Sequence, residues 1–282
     1  MAVISFWNNS KGGNIGQTSS IIATATLMAI EHNYKILVIS TTNNDIELEK
    51  AYGVVESAAV KILKLKESKF NSGIEGIMKL ASSGKLTPEL IGNYTKIVLK
   101  NRLEVVAGKK DDEDTDENEK FDYHSYPDVI KIANKYYDMV FIDLNRDQQD
   151  EVVQNILKLS DLIIFNFEQK YENIDKVLNF QKEQEELLPK KKTLYLINKY
   201  EKKSKFNRKN IIRNSDMKKN LYVVPYNVMF ADMMQAGTTD SWFLNPKVRK
   251  AKPEEEYGDF IKSLNELCDE IINKLRELHI FR

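Results

Sequence analysis

The sequence predicts a doubly wound α/β fold: a mostly parallel sheet with helices on both faces. Short apolar runs rich in β-branched residues recur along the chain with helical patterns between most of them. That is how a sheet buried on both faces with crossover helices appears in sequence. A glycine-rich turn also joins the first apolar run to a helix of small residues. Finally, 282 residues with 42% hydrophobic and 30% charged content can bury the core of one large domain or two small ones. No internal repeat or Pro/Gly/Ser linker divides the chain, so residues 1–282 are expected to form a single domain.

Taken in order, the strand candidates are 2–6, 35–40, 103–106, 139–144, 162–166, 193–197 and 221–224. Helical patterns cover 18–31, 126–136, 149–158, 171–187 and 255–278. Two segments break the alternation. Residues 54–94 read as short helices punctuated by Gly73, Gly76, Gly84 and Pro88, an elaboration between the second and third strands. Residues 111–122 carry eight acidic side chains against one lysine, the composition of a solvated surface loop or, alternatively, an acidic docking patch. In the last helical pattern Ile261, Leu264, Cys268, Ile271, Leu275 and Leu278 form one apolar stripe. Its polar face mixes both signs of charge, which favours packing against the core or a partner over lying on a membrane.

Charge and cysteine content narrow the function classes. Lys plus Arg equals Asp plus Glu at 42 each, so no whole-molecule field draws the protein to nucleic acid or anionic lipid. The single cysteine, Cys268, cannot form an internal disulfide, and His32, His124 and His279 have no metal-binding spacing. With no signal-peptide pattern and no run of eighteen apolar residues, a soluble cytoplasmic protein without direct membrane insertion is expected.

The most informative stretch is 6–20, FWNNSKGGNIGQTSS, between a strand and a helix. Glycines there let backbone N–H groups turn toward phosphate oxygens, and the helix adds its positive end. A hydroxyl in the first turn, Thr18, is placed to hold Mg²⁺. The full phosphate-loop pattern is not met, because Gln17 stands where its lysine belongs and Lys11 where its first glycine belongs. A dinucleotide-binding turn is the alternative. It lacks support from a Gly-x-Gly-x-x-Gly or from an acidic residue ending the second strand, where Ser40 sits.

Lys11-Gly12-Gly13 before Gly16-Gln17-Thr18 resembles the deviant Walker A motif, K-G-G-x-G-K-T, of the ParA/MinD superfamily, one residue longer and without the second lysine. The run 13–19 after Phe6-Trp7 is closer still to the degenerate loop of clostridial ParA/MinD-type proteins related to TadZ, a pilus-assembly relative. Leu48-Glu49, residues 137–145, 198–211 and 224–227 extend the resemblance over nearly the whole chain. It implies a P-loop NTPase fold and a site for ATP or ADP with Mg²⁺, with Gly12, Gly13, Asn14, Ile15, Gly16, Gln17, Thr18 and Ser19 around the phosphates.

By the same resemblance, Asp143 matches the Walker B aspartate that assists Mg²⁺ together with Thr18, and Lys11 matches the lysine that crosses the dimer. Turn capping is the plainer alternative for Asp143. Asn198 matches the base-reading asparagine, and Pro225 and Asn227 the loop covering the base; the alternative is that both asparagines only satisfy loop backbone. Asn145, Arg146 and Asp147 correspond to switch II. Ser40 and Thr42 replace the family's two aspartates, and residues 43–45 read as a helix cap. Nine basic residues in 199–219, against Glu201 and Asp216, read as a solvated helical face or as a surface for nonspecific DNA.

The implied function is that of a nucleotide-binding, dimerising positioning protein that recruits or places a pilus, secretion or conjugation apparatus, with little or no ATP hydrolysis. Alternatives are a catalytically dead scaffold and a ParA-type DNA-partition ATPase.

Overall fold

Residues that alternate between two apolar surfaces make the interior strands. In β1 (Ala2–Trp7) the side chains of Ala2, Ile4 and Phe6 join one hydrophobic cluster, while Val3 and Trp7 join another on the opposite face. The same alternation runs through β2 (Ile36–Ser40), β4 (Leu103–Val106), β5 (Met139–Leu144), β6 (Leu162–Glu168) and β7 (Thr193–Tyr200). With β3 (Lys96–Leu99) and β8 (Leu221–Pro225) they form one eight-stranded sheet in the order β3-β4-β2-β5-β1-β6-β7-β8. The computed structural model describes residues 1–8, 15–42, 46–53, 73–108, 122–144, 150–213, 215, 217 and 220–281.

Every strand pair is parallel except β3–β4, so the sheet is mostly parallel and doubly wound, as the sequence predicts. From central β1 the chain winds out through β2 and β4 on one side, returns to β5, and continues through β6, β7 and β8 on the other. The C-terminal ends of β1, β5, β6 and β7 therefore surround the point where the winding reverses, where such sheets bind ligands.

The helices are α1 (Gln17–Glu31), α2 (Ile46–Lys50), α3 (Ile74–Ser82), α4 (Pro88–Ile91), α5 (Tyr126–Ala133) and α6 (Glu151–Leu159). They continue with α7 (Tyr171–Glu183), α8 (Arg208–Arg213), α9 (Val228–Ala236), α10 (Thr239–Leu244), α11 (Pro246–Arg249) and α12 (Gly258–Glu277). On one face α1 packs with α9, α10 and α12; α3, α5, α6 and α7 cover the other. Helix α1 is buried along most of its length, and its alanines, serines and threonines let the sheet, α10 and α12 approach closely. The apolar stripe of α12 packs into this core, and Cys268 is buried against the Thr24 carbonyl. Among the described residues no helix is long and apolar enough to cross a membrane.

Several expectations are corrected. Strand β3 was missed because it is a half-exposed antiparallel edge, with Ile97 60% exposed, and lacks the two-sided burial that marks the others. The long helix begins at Gly258, later than expected, because the α-carbon there lies against the Lys252 carbonyl and a Cβ would sit 1.7 Å from that oxygen. Helices α5 and α7 end sooner than the patterns, at Ala133 and Glu183, where the chain turns off. Among the described residues of the basic segment only Arg208–Arg213 is helical, and Lys202, Lys203 and Lys205 stand in the loop before it and not on the expected helix face. Short helices between β2 and β3 are present as α3 and α4, whereas 54–72 and the acidic run up to 121 lie outside the described residues.

Candidate functional site

Gly16 caps α1 with φ 82° and ψ 20°, a left-handed conformation that favours glycine. The first turn of α1 carries neither an acidic residue nor a side-chain cap, leaving its positive end facing the sheet edge. Lys11, Gly12, Gly13 and Asn14 lie outside the described residues; Ile15, Gly16 and Gln17 are buried, and Thr18 and Ser19 are half-buried.

Gln17 turns inward. Its amide Nε2 donates to Asp143 Oδ1 at 2.6 Å and to the Phe6 carbonyl at 3.0 Å, while its Oε1 accepts from Asn8 Nδ2 at 2.9 Å. Thr18 Oγ1 donates to Asp143 Oδ2 at 2.6 Å. Both oxygens of the Asp143 carboxylate, 1% exposed, are thus held by short charge-assisted hydrogen bonds from the start of α1. The neighbouring strand end is fixed as well, because Thr41 donates its N–H and its hydroxyl to the Asp143 carbonyl, both at 3.0 Å. Sequence reasoning placed Asp143 at the strand's C-terminal end, and register pairs it with Phe6 of β1 and Ser40 of β2. The direct bond to Gln17, 126 residues away, had no sequence signal.

A second chain of hydrogen bonds runs the other way. Ser20 Oγ donates to Asn198 Oδ1 at 2.7 Å, Asn198 Nδ2 to Asn166 Oδ1 at 3.0 Å, and Asn166 Nδ2 to the Ile164 carbonyl at 2.8 Å. Asn198 is 2% exposed, so its amide ties α1 to β6 and β7. Asn227 caps α9 by accepting from the Phe230 N–H at 2.9 Å. Neither Ser20 nor Asn166 was anticipated, although both stand where predicted elements meet the sheet edge. Ser40 is buried and accepts from the Thr42 N–H at 3.2 Å; the Thr42 hydroxyl is buried with no hydrogen-bond partner among the described residues. Residues 43–45 and 145–147 lie outside the described residues.

Beside the second chain opens a small cleft. Gly16, Ser19, Ser20 and Lys199 form its polar wall, and Val224, Pro225, Tyr226, Phe230 and Met234 the apolar one. Phe230 is held beneath by Phe260, with ring centroids 5.0 Å apart, while Tyr226 stands 61% exposed at the rim. The lining thus sets an apolar wall against one that carries hydroxyls and a cationic side chain.

The residues present also fit a hard cation. A hydroxyl that donates to Asp143 keeps its lone pairs outward, and an all-oxygen Thr18–Asp143 pair is the donor chemistry Mg²⁺ takes. Among the described residues, no group of three His, Cys, Asp or Glu side chains gathers to make a separate metal site.

No protein-family model matches the chain, and no curated protein matches it. Solved structures do, over nearly its whole length. It is similar to a ParA family ATPase from Chlorobium tepidum TLS at 12% identity, covering 95% of this chain and 98% of that one, with a TM-score of 0.67. A putative plasmid partition protein from Borrelia burgdorferi B31, bound to AMPPNP, is 18% identical over 97% and 99% of the two chains with a TM-score of 0.64. The septum site-determining protein MinD from Pyrococcus horikoshii OT3, complexed with Mg-ADP, is 17% identical over 96% and 97%, with a TM-score of 0.62. The fold is that of the ParA/MinD ATPases.

Proposed function

We propose that this chain is a ParA/MinD-type nucleotide-binding positioning protein whose site has kept binding and lost most or all ATP hydrolysis. The observation that carries the reading is the Gln17–Asp143 hydrogen bond. Phosphoryl transfer depends on cationic groups against the β and γ phosphates. An uncharged amide stands where that lysine belongs, and it is already committed to the buried carboxylate.

The cleft supports nucleotide binding, with the purine against Pro225, Tyr226 and Phe230 and the phosphates toward Gly16 and the α1 N-terminus. Thr18 and Asp143 would hold Mg²⁺, which when bound neutralises phosphate charge. Asn198, engaged on both sides of its amide, would act chiefly by fixing Ser20 and the cleft wall. Dimerisation through the phosphate-loop face, with Lys11 crossing between subunits, and a role in placing a pilus, secretion or conjugation apparatus follow from the TadZ-like resemblance.

Adenine nucleotides at millimolar concentration should raise the melting temperature, while phosphate release from ATP stays at the no-enzyme background. Turnover that Lys11→Ala abolishes would overturn the inactive-site reading. Sedimentation with and without nucleotide checks the dimer, and a monomer in both conditions counts against it.

One feature favours a second reading, nonspecific DNA binding. Gln169 donates to the Glu201 and Phe206 carbonyls at 3.0 and 2.8 Å and accepts from the Glu201 N–H at 2.8 Å, pinning a loop that exposes Lys202, Lys203 and Lys205. If this loop meets phosphates, replacing all three lysines lowers the salt slope of duplex binding by up to about three.

A further inference from the structure

Three described residues other than glycine have positive φ, and one of them, Lys199 at 51°, lies inside a strand. The pairing register of β7 with β8 shifts at that point, between Asn198 and Tyr200. A bulge of this kind re-aims a side chain, and a left-handed lysine persists only where its surroundings hold it. The lysine stem is laid across the cap of α1, since a Cβ on Gly16 would meet Lys199 Cε at 3.3 Å and Cγ at 3.4 Å. Lys199 lines the polar wall of the cleft together with Gly16, Ser19 and Ser20.

We propose that Lys199 is the cation that binds the phosphate of the nucleotide in this cleft, supplying from the end of β7 the charge that α1 lacks at position 17. The proposal rests on the nucleotide reading given above. Among the described residues, no other cationic side chain lines the cleft. Gln17 is turned into the Asp143 network, and Lys199 is the described cation that lies over Gly16. An ammonium at this place serves binding. It comes from the end of β7, not from position 17 of α1, and so supplies charge for an anion without taking the catalytic lysine's place.

The test is calorimetric titration of ATP and of adenosine into the full chain, its Lys199→Gly variant and its Lys199→Arg variant. Glycine is at ease at a φ of 51°, which offsets part of what the lost side-chain contacts cost, and melting temperatures of both variants measured beside the titrations separate loss of charge from misfolding. Lys199→Gly should weaken ATP about tenfold or more and leave adenosine unchanged, while Lys199→Arg stays within about threefold of the parent for both. Parent binding of ATP should also weaken with added salt, and the Gly variant's dependence should be flatter.

Unchanged ATP affinity in Lys199→Gly overturns the proposal, as does equal weakening of ATP and adenosine, which would mark the stem's packing rather than its charge. Equal affinity of the parent for ATP and adenosine overturns the phosphate role while leaving a nucleoside site standing. Failure of the parent to bind either compound at millimolar concentration removes the nucleotide reading itself, and this inference with it.

Discussion

On the β5 side of the α1 N-terminus, the side chains of Gln17 and Thr18 are turned onto one buried carboxylate at 2.6 Å each, so that both of its oxygens are engaged by protein donors. On the β7 side, Ser20, Asn198 and Asn166 are likewise bonded together, but beyond them the wall stops and the cleft opens toward Tyr226 and Phe230. The same helix end thus borders an internally satisfied region and a region with space for a ligand. The side next to β5 is filled by protein–protein hydrogen bonds, and the side next to β7 keeps open volume.

The hardest way to break the comparison is Gln17→Ala. Removing the amide strips Asp143 Oδ1 and Asn8 Nδ2 of a partner each in a site that solvent barely reaches. Taking a hydrogen bond from a buried polar group costs roughly 1–3 kcal/mol, more for a charge, so a loss of about 3 kcal/mol is expected in urea denaturation. A loss under about 0.5 kcal/mol would mean that water replaces the amide and that the region is not closed.

Asn198→Ala should cost less, about 2 kcal/mol. It unpairs Ser20 Oγ and Asn166 Oδ1, both neutral groups, and Asn166 keeps its bond to the Ile164 carbonyl. Because the cleft wall is anchored here, adenine-nucleotide affinity should fall alongside stability. Retained affinity with reduced stability would show that the wall holds without its tie to β6 and β7.

The fold was largely legible for a physical reason that also explains the gaps. Strands buried on both faces must be almost wholly apolar, so runs such as Met139–Ile142 announce themselves, and the carboxylate following one has to emerge at the sheet edge. Edge strand β3, with Lys96 and an exposed Ile97, carries no such constraint. Helices α9 and α10 were missed because they are short and pack several aromatic faces at once, Phe230 touching Trp242, Phe243 and Phe260, which blurs the helical period. Within the site, glycine announced the left-handed cap at Gly16, whereas nothing in the residue type announces it at Lys199. Contacts such as Gln17 with Asp143 depend on which strands become neighbours, and spacing along the chain does not encode that.

Tyr226→Ala sharpens the comparison from the open side. The ring is 61% exposed at the cleft mouth, so its removal should change folding stability by less than about 0.5 kcal/mol. If it covers a purine, ATP affinity should fall about tenfold, in line with the 1–3 kcal/mol that base–aromatic stacking contributes. A variant that loses binding and keeps stability is the reverse of Gln17→Ala, which is expected to lose stability first. Should Tyr226→Ala leave binding intact, the apolar wall is formed by Val224, Pro225, Phe230 and Met234 without it.

The smallest effect comes from the scaffold behind both regions. Cys268 of α12 is buried against the Thr24 carbonyl of α1, and burial pushes its thiol pKa above the ordinary 9.0, with Asp269 adding to the shift. The native chain therefore holds the thiol proton at a pH where the unfolded chain has released it. That contribution is complete below about pH 9 and declines as pH rises, by about 1 kcal/mol between pH 9 and 10 for one group. The window closes near pH 10, where the buried hydroxyls of Tyr52 and Tyr195, also raised by desolvation, begin to act in the same direction. Urea midpoints at pH 8, 9 and 10 should fall more steeply in the parent than in Cys268→Ala, and parallel curves would show that the thiol escapes into solvent before the fold opens. A flatter curve in the variant, with nucleotide affinity unchanged, would show that α1 can lose a contact on its rear face without disturbing either the closed region or the cleft at its front.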